Sequence, residues 1–435
     1  MEAARRSPHP NVLLGLVTTL VFTTRGSLST AFDAYVLLLP DGTNLRVGVM
    51  ESISGIASLL LTLVSGVLAD RIGRRRVLRA AGLASVLSSA ATLTTVFYLA
   101  PSRPSLVYAG LCVASGTVGL ARGCFMPPFE AIFGDSTAGA ARAKWYTRKA
   151  ACYTFGLAFG PALTMVIFAA ARSDTWTQPE LSAVLCAAAA IGVVLACLVL
   201  GFREVEAPPQ QLLDPAAGDA ESAAAAASLN ATPAPPPPRW RCVRRRHVPI
   251  LISLSSLLGG LGSGMAYKFI PMFCWKELGL SPIPTHAIIV AQQLAATVLN
   301  FAIGRLARWI GPIGAVVLFI GGGVAALGAV CVEATPRAVV VGLLILRGAL
   351  MNSTAGLTGA VLNDHVEKRH RAKWNMSAQF RQVTWSGSAF AGGALIDAIG
   401  YRKTFLFTCG FHAAMGLVLL PLVAVVPRGG GRGAA

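Results

Sequence analysis

Charged side chains inside long apolar runs are the residues of this sequence that could do chemistry. They are Arg25, Asp33, Arg122, Glu130, Lys268, Arg347 and Arg381, together with Glu51. An ionised group in an apolar environment is costly, so such residues pair with one another, face a water-filled cavity or bind a charged solute. The expected chemistry is therefore ion pairing, proton transfer and solute recognition.

The spacing of these charges suggests pairs within single helices. Arg25 has Asp33 eight residues further on, roughly on the same helix face. Arg122 has Glu130 at the same spacing, but beyond Pro127, which with its neighbouring proline should break the helix.

Cations outnumber acids in the apolar runs. We therefore predict a cavity with surplus positive charge, suited to an anionic or carboxylate-bearing solute. Asp33 and Glu130 are the candidate proton carriers. The alternative is that these charges form structural pairs, or reach the membrane surface with long side chains.

Composition indicates the elements that must position these charges. The 435 residues are 54% hydrophobic and only 13% charged, whereas a soluble protein carries about 25% charged residues. Apolar runs of about 20 residues can each cross a bilayer as a helix. We predict an all-α membrane protein whose twelve spans are 11–35, 46–69, 78–100, 105–129, 146–170, 181–202, 249–273, 284–304, 312–332, 338–361, 374–397 and 404–426.

A compositional break divides the spans into six plus six. Residues 208–238 are rich in Pro, Ala and Ser and have few large apolar side chains to bury. The predicted organisation has four parts, which are an N-terminal six-helix bundle over 1–202, a disordered cytosolic linker over 203–248, a C-terminal six-helix bundle over 249–427 and a cytosolic tail over 428–435.

The net charge of +18 is explained by membrane topology. Most Lys and Arg of the predicted loops lie on the side that holds the N-terminus, as in the run 74–76 and the run 244–246. Cytosolic loops carry this bias, so both termini are predicted to be cytosolic, and no nucleic acid is needed. The plasma membrane and an internal membrane both remain open.

The tetrapeptide RAKW occurs twice and marks an internal duplication. AIFGDSTAGAARAKW at 131–145 aligns without gaps over AVLNDHVEKRHRAKW at 360–374. Asp135 then matches Asp364, and Arg142 matches Arg371. One copy follows span four and the other follows span ten, so the two halves are predicted to be duplicated bundles, as in alternating-access transporters.

A second repeat supports the duplication. GVLADRIGRRR at 66–76 follows span two, and GRLARWIG at 304–311 follows span eight, although Arg308 replaces the acid Asp70. A third copy, GALIDAIGYRK at 393–403, falls on the opposite, non-cytosolic side.

These motifs resemble those of the major facilitator superfamily, over essentially the whole chain except the linker. The run from Gly66 to residue 76 is similar to the signature between helices two and three, and Arg122 stands at the helix-four arginine. The glycine-proline pattern of span five resembles that of proton-coupled antiporters, although its closing glycines are replaced at 162–164. Residues carried over are the gate residues Gly66, Asp70, Arg71, Gly73, Arg74, Asp135, Arg142, Asp364 and Arg371, and the span-five residues Gly156, Gly160 and Pro161.

The resemblance implies twelve helices in two bundles that rock around a central site. Acid–base pairs such as those of Asp70 would hold one state closed at the cytosolic mouth and break in the other. A basic loop that only sets topology, with incidental acids, is the alternative reading.

The leading function is a secondary active transporter that moves a small solute, coupled to protons. An organic-anion carrier competes with a drug/proton exporter, and a non-transporting membrane receptor or sensor is a further alternative. No catalytic motif or P-loop occurs, and the nine cysteines are scattered singly, so we predict no enzyme, no cofactor and no metal. A monomer in the lipid bilayer is expected.

Overall fold

The structure is a computed structural model, and it describes residues 9–100, 103–137, 142–204, 247–366 and 377–426. Much of the predicted linker, the tail, Arg371 and the second RAKW copy lie outside these ranges. Within them the chain is built of helices, which supply all twelve predicted spans.

The helices of the N-terminal bundle are Pro10–Ser27 with Ser29–Leu37, then Asn44–Ile72, Arg74–Thr94, Val107–Ser136, Arg142–Ala170 and Gln178–Leu200. Those of the C-terminal bundle are Val248–Ala266 with Ile270–Lys276, then Pro282–Ile310, Pro312–Cys331, Arg337–Asn352 with Ala355–Asp364, Ser377–Ile399 and Tyr401–Val423. In the described ranges, eleven helices are long and apolar enough to cross a membrane. Ser377–Ile399 supplies the remaining span, the eleventh.

Three spans are interrupted at positions that their apolar patterns did not reveal. Span one is divided at Leu28, span ten around Ser353, and span seven by a 3₁₀ turn over Tyr267–Phe269. Backbone that departs from the helix inside a membrane must find partners within the protein. The backbone at these interruptions must therefore be enclosed by protein.

The expected break at Pro127 and Pro128 is wrong, because span four continues as one helix from Val107 to Ser136. Phe125 and Phe129 flank the prolines, and their rings stack at 4.7 Å between centroids. Membrane helices tolerate proline where neighbouring groups satisfy the freed carbonyls, so packing overrides the local preference here.

The repeated signatures end at glycines with equivalent backbone geometry. Gly73, Gly311 and Gly400 have φ of 98°, 87° and 87°, in the left-handed region that favours glycine. Each separates two consecutive spans by a single residue. The three copies of the signature therefore make the same tight helix-to-helix turn.

The two bundles are joined at the face opposite the chain ends, which we call the distal face. The face that holds residues 9 and 426 is the terminal face. At the distal face, Asp174 accepts hydrogen bonds from Ser281 Oγ at 2.5 Å and Ile283 N at 2.8 Å, and Trp176 donates to Leu280 O at 3.0 Å. The interbundle hydrogen bonds of the described residues lie at this face or near mid-span, so the conformation is closed distally.

Candidate functional site

A buried ion cluster of Asp33, Glu51 and Lys268 lies between the two bundles. Their exposed fractions are 2%, 9% and 7%. Lys268 Nζ lies 3.2 Å from Asp33 Oδ1 and also donates a hydrogen bond to Glu51. The 3₁₀ turn of span seven carries the ammonium, and spans one and two carry the carboxylates. One C-terminal cation is thus shared by two N-terminal acids.

A polar chain leads from this cluster to Arg122. Arg122 Nη2 donates to Gln382 Oε1 at 3.0 Å, and Gln382 Nε2 donates to Ser386 Oγ at 3.4 Å. Ser386 Oγ in turn donates to Glu51 Oε1 at 3.4 Å. The chain crosses from span four to span eleven and back to span two, so its first and last steps depend on how the bundles are placed.

Arg25 occupies a different environment from Asp33. Its guanidinium donates to Ser85 Oγ at 2.8 Å and Ser88 Oγ at 2.9 Å, both on span three. It also packs against Gly192 of span six. Arg25 is therefore held by neutral hydroxyls inside the N-terminal bundle, and the two residues are not brought together as their spacing suggested.

Glu130 is also separated from the residue that its spacing suggested as a partner. It accepts a hydrogen bond from Lys149 of span five, and not from Arg122. The Lys149 ammonium lies 5.0 Å and 4.9 Å from the ring centroids of Phe129 and Phe133. Carboxylate and aromatic rings together enclose this cation within the N-terminal bundle.

The remaining predicted cations lie in the C-terminal bundle. Arg347 is buried in span ten with 2% exposure, and its Nε has no hydrogen-bond partner within the described part of the chain. Arg381 is exposed, near the terminal-face end of span eleven. The structure thus places the two arginines in contrasting surroundings.

The predicted gate residues cluster at the terminal face. Arg74 forms an ion pair with Asp135, which joins spans three and four of one bundle. Gly73, Asp70 and Glu204 line the same cleft, of about 240 Å³. Asp70, Arg71 and Asp364 are exposed, and Gly66 is partly buried. Arg142 begins span five, its side chain lies outside the described residues, and Arg371 lies outside them altogether.

The glycines of span five serve close helix packing. A methyl group at Gly156 would collide with Thr23 and Leu20 O, and one at Gly160 with Ser27 and Thr24 O. Pro161 lies within the same helix. Small residues let helix backbones approach in membranes, and here they bring span five against span one.

The third signature copy caps a helix of the other bundle. Asp397 accepts hydrogen bonds from the backbone of Asn44 at 3.1 Å and of Leu45 at 2.8 Å, at the start of span two. At a helix N-terminus, a carboxylate accepts hydrogen bonds from the free N–H groups and interacts favourably with the helix dipole. This copy therefore lies at the distal face and joins the bundles, which the sequence left without a physical explanation.

Sequence reasoning missed Gln382 and Ser386 as members of the site. Both are neutral residues spaced one helical turn apart, and polar residues at that spacing are common between membrane helices. Glu51 was noted only as a membrane-embedded acid. No metal-binding group of His, Cys, Asp or Glu occurs among the residues that the structure describes.

Comparisons with known proteins agree with this architecture. The chain is similar in structure to a D-xylose-proton symporter, with a TM-score of 0.72 at 13% identity over 96% of this chain and 97% of the other. It is also similar to a bacterial homologue of the iron transporter ferroportin in an inward-facing state, with a TM-score of 0.71 at 13% identity over 96% and 100%. For the nucleoside transporter NupG the TM-score is 0.62 at 16% identity over 95% and 98%.

At these identities the structural neighbours show the fold alone. No curated protein matches the sequence. A model of the Major Facilitator Superfamily, however, matches residues 14–382, which extend from span one into span eleven and include the signatures after spans two and eight. The chain therefore belongs to the Major Facilitator Superfamily.

Proposed function

We propose that this protein is a proton-coupled secondary active transporter that moves a small solute by alternating access, with organic anions as the leading class. The buried cluster of Asp33, Glu51 and Lys268 carries the proposal. It places two carboxylates around one ammonium at the interface of the bundles that must separate. The proposal retains a monomer with both termini cytosolic.

The charges of the cluster favour a role for protons. With all three groups ionised, the cluster holds one net negative charge, and an uncompensated buried charge is costly. Binding of one proton makes it neutral. Asp33 is the proposed carrier, because its contact with Lys268 is ionic at 3.2 Å whereas Glu51 also receives hydrogen bonds from Lys268 and Ser386.

The position of the cluster links the proton to alternating access. Lys268 lies on the C-terminal bundle and both acids lie on the N-terminal bundle, so opening the distal face must separate them. Protonation of Asp33 weakens the attraction between the bundles on one side of Lys268. The proton then biases the equilibrium between a distally closed and a distally open state.

A drug/proton exporter is the second candidate. The packing of Gly156 and Gly160 against span one favours it, because the pattern resembles an antiporter signature. The two candidates differ in the direction of coupling and in the solute. An exporter exchanges solute against protons, whereas a carrier of the symport type moves both in one direction.

The test is uptake into proteoliposomes, screened over anionic, neutral and cationic solutes with and without a pH gradient. We expect the gradient to drive accumulation of an accepted solute. Asp33→Asn should abolish this response while exchange of solute across the membrane continues. The matched control is Asp41→Asn, since the Asp41 side chain at the distal face is 80% exposed and lies 3.6 Å from Arg46.

Accumulation that ignores the gradient in the unaltered protein would refute proton coupling. Unchanged coupling in Asp33→Asn would instead remove Asp33 as the carrier. If cationic solutes move and anionic ones do not, the exporter is favoured.

A further inference from the structure

Arg347 is a buried cation for which the described residues supply no counter-charge. It is 2% exposed on span ten, and its Nε donates to no acceptor in the described chain. The titratable groups that influence it are Tyr267, Cys409 and His412, with no carboxylate among these described neighbours. An unpaired arginine within a membrane protein calls for an anionic partner.

A second unpaired donor lies in the same part of the bundle. Gln292 of span eight is 3% exposed, and its Nε2 has no hydrogen-bond partner among described residues. Its amide lies directly against Gly348, the residue after Arg347. Both orphan atoms are N–H donors, so the group that satisfies them must be an acceptor.

Tyr267 connects the two donors. It interacts electrostatically with Arg347 and with Tyr153 of span five, and its hydroxyl lies near the Gln292 amide, although Gln292 Nε2 forms no hydrogen bond of normal geometry with a described residue. On another side, His412 shares a 3.1 Å hydrogen bond with Ser263 Oγ. The titratable groups near the donors are therefore neutral, and most belong to the C-terminal bundle.

We propose that Arg347 and Gln292 form a subsite that binds the carboxylate of a monoanionic solute. This proposal rests on the transport function proposed above and specifies its substrate class. A planar guanidinium and an amide N–H match the two oxygens of a carboxylate. Lys268, the residue after Tyr267, is already shared by two acids, so the subsite offers one net positive charge. A phosphate dianion would need a second positive charge at the subsite.

The experiment measures binding to the full-length protein in nanodiscs. The probes are benzoate and hexanoate, their neutral amides benzamide and hexanamide, and phenyl phosphate. We expect the carboxylates to bind and raise the apparent melting temperature, and the amides and phenyl phosphate to bind at least about tenfold more weakly. Arg347→Met should weaken carboxylate binding about tenfold or more, and Gln292→Leu by less. Arg305→Met, which changes an exposed arginine of span eight, should leave binding unchanged.

The melting temperature of the ligand-free protein distinguishes a solute-binding role of Arg347 from a structural role. Removing an unpaired buried cation relieves its desolvation cost, so Arg347→Met should retain or raise the melting temperature of the free protein. A cation held by structural partners would lower it instead. Equal binding of benzoate and benzamide, no carboxylate binding at millimolar concentration, or a destabilised Arg347→Met would each overturn the proposal.

The two proposals fail in distinguishable ways. If carboxylates bind as expected but no solute accumulates in proteoliposomes, the subsite proposal is supported and the transport proposal is refuted. If a pH gradient drives uptake of a neutral or cationic solute while carboxylates are neither bound nor transported, the transport proposal is supported and the subsite proposal is refuted.

Discussion

Tyr267 and Lys268 are consecutive residues whose side chains meet different charged groups. Lys268 Nζ lies 3.2 Å from Asp33 Oδ1 of span one, whereas Tyr267 neighbours Arg347 of span ten. The 3₁₀ turn of span seven makes this possible, because it changes the direction in which successive side chains point. The proposed proton cluster and the proposed carboxylate subsite are therefore joined through one peptide bond.

Lys268→Met should destabilise the protein strongly. The substitution leaves Asp33 and Glu51 buried together without a cation, and breaking a buried pair in this way costs about 3–5 kcal/mol. We expect a lower melting temperature in nanodiscs and partial recovery when Asp33→Asn is added. Lys276→Met provides the control, since Lys276 is exposed and lies 3.9 Å from the centre of the Trp275 ring. Equal effects at the two lysines would contradict a special role of the cluster.

Gly48→Ala should shift the protein toward a distally open state. Gly48 of span two faces the backbone of Ala389 and Phe390 in span eleven, and a methyl group there would collide with it. Alanine stabilises a helix by about 1 kcal/mol relative to glycine, so the substitution should not weaken span two itself. We therefore expect its effect at the contact between the bundles. We expect faster maleimide labelling of a cysteine placed at Ser52, which bonds Ser386 O across the interface.

Gly342→Ala is the matched control for this test, because a methyl group at Gly342 meets nothing within 4 Å. Its labelling rate should equal that of the unaltered chain. Faster labelling in both variants, or in neither, would show that close approach at Gly48 does not hold the distal face closed.

Arg122→Ala should abolish transport without abolishing membrane insertion. Arg122 is joined to the ion cluster through Gln382 and Ser386, and a hydrogen bond that involves a charged group contributes about 1.5–3 kcal/mol. A double-mutant cycle with Gln382→Ala, read from melting temperatures in nanodiscs, should show that the two effects are not additive. Unchanged transport in Arg122→Ala would remove this arginine from the site.

The sequence determined the twelve spans and their division into two bundles. Each span needs enough apolar residues in a row to cross the bilayer, and that property belongs to the chain itself. The repeated signatures also predicted the positions of equivalent turns. Gly73 and Gly311 both adopt a left-handed backbone conformation, which favours glycine. The sequence also identified Asp33, Lys268 and Arg347 as costly charges that need an explanation.

Only the tertiary structure decided which groups these charges meet. Spacing along one helix suggested Arg25 with Asp33, but the partner of Asp33 is Lys268, on the other bundle. Such a pairing depends on how two bundles dock and on the break at Tyr267–Phe269, and neither is encoded in local hydropathy. Charges within a membrane take the partner that the packed helices bring nearest, because distance in space sets the electrostatic energy and distance along the chain does not.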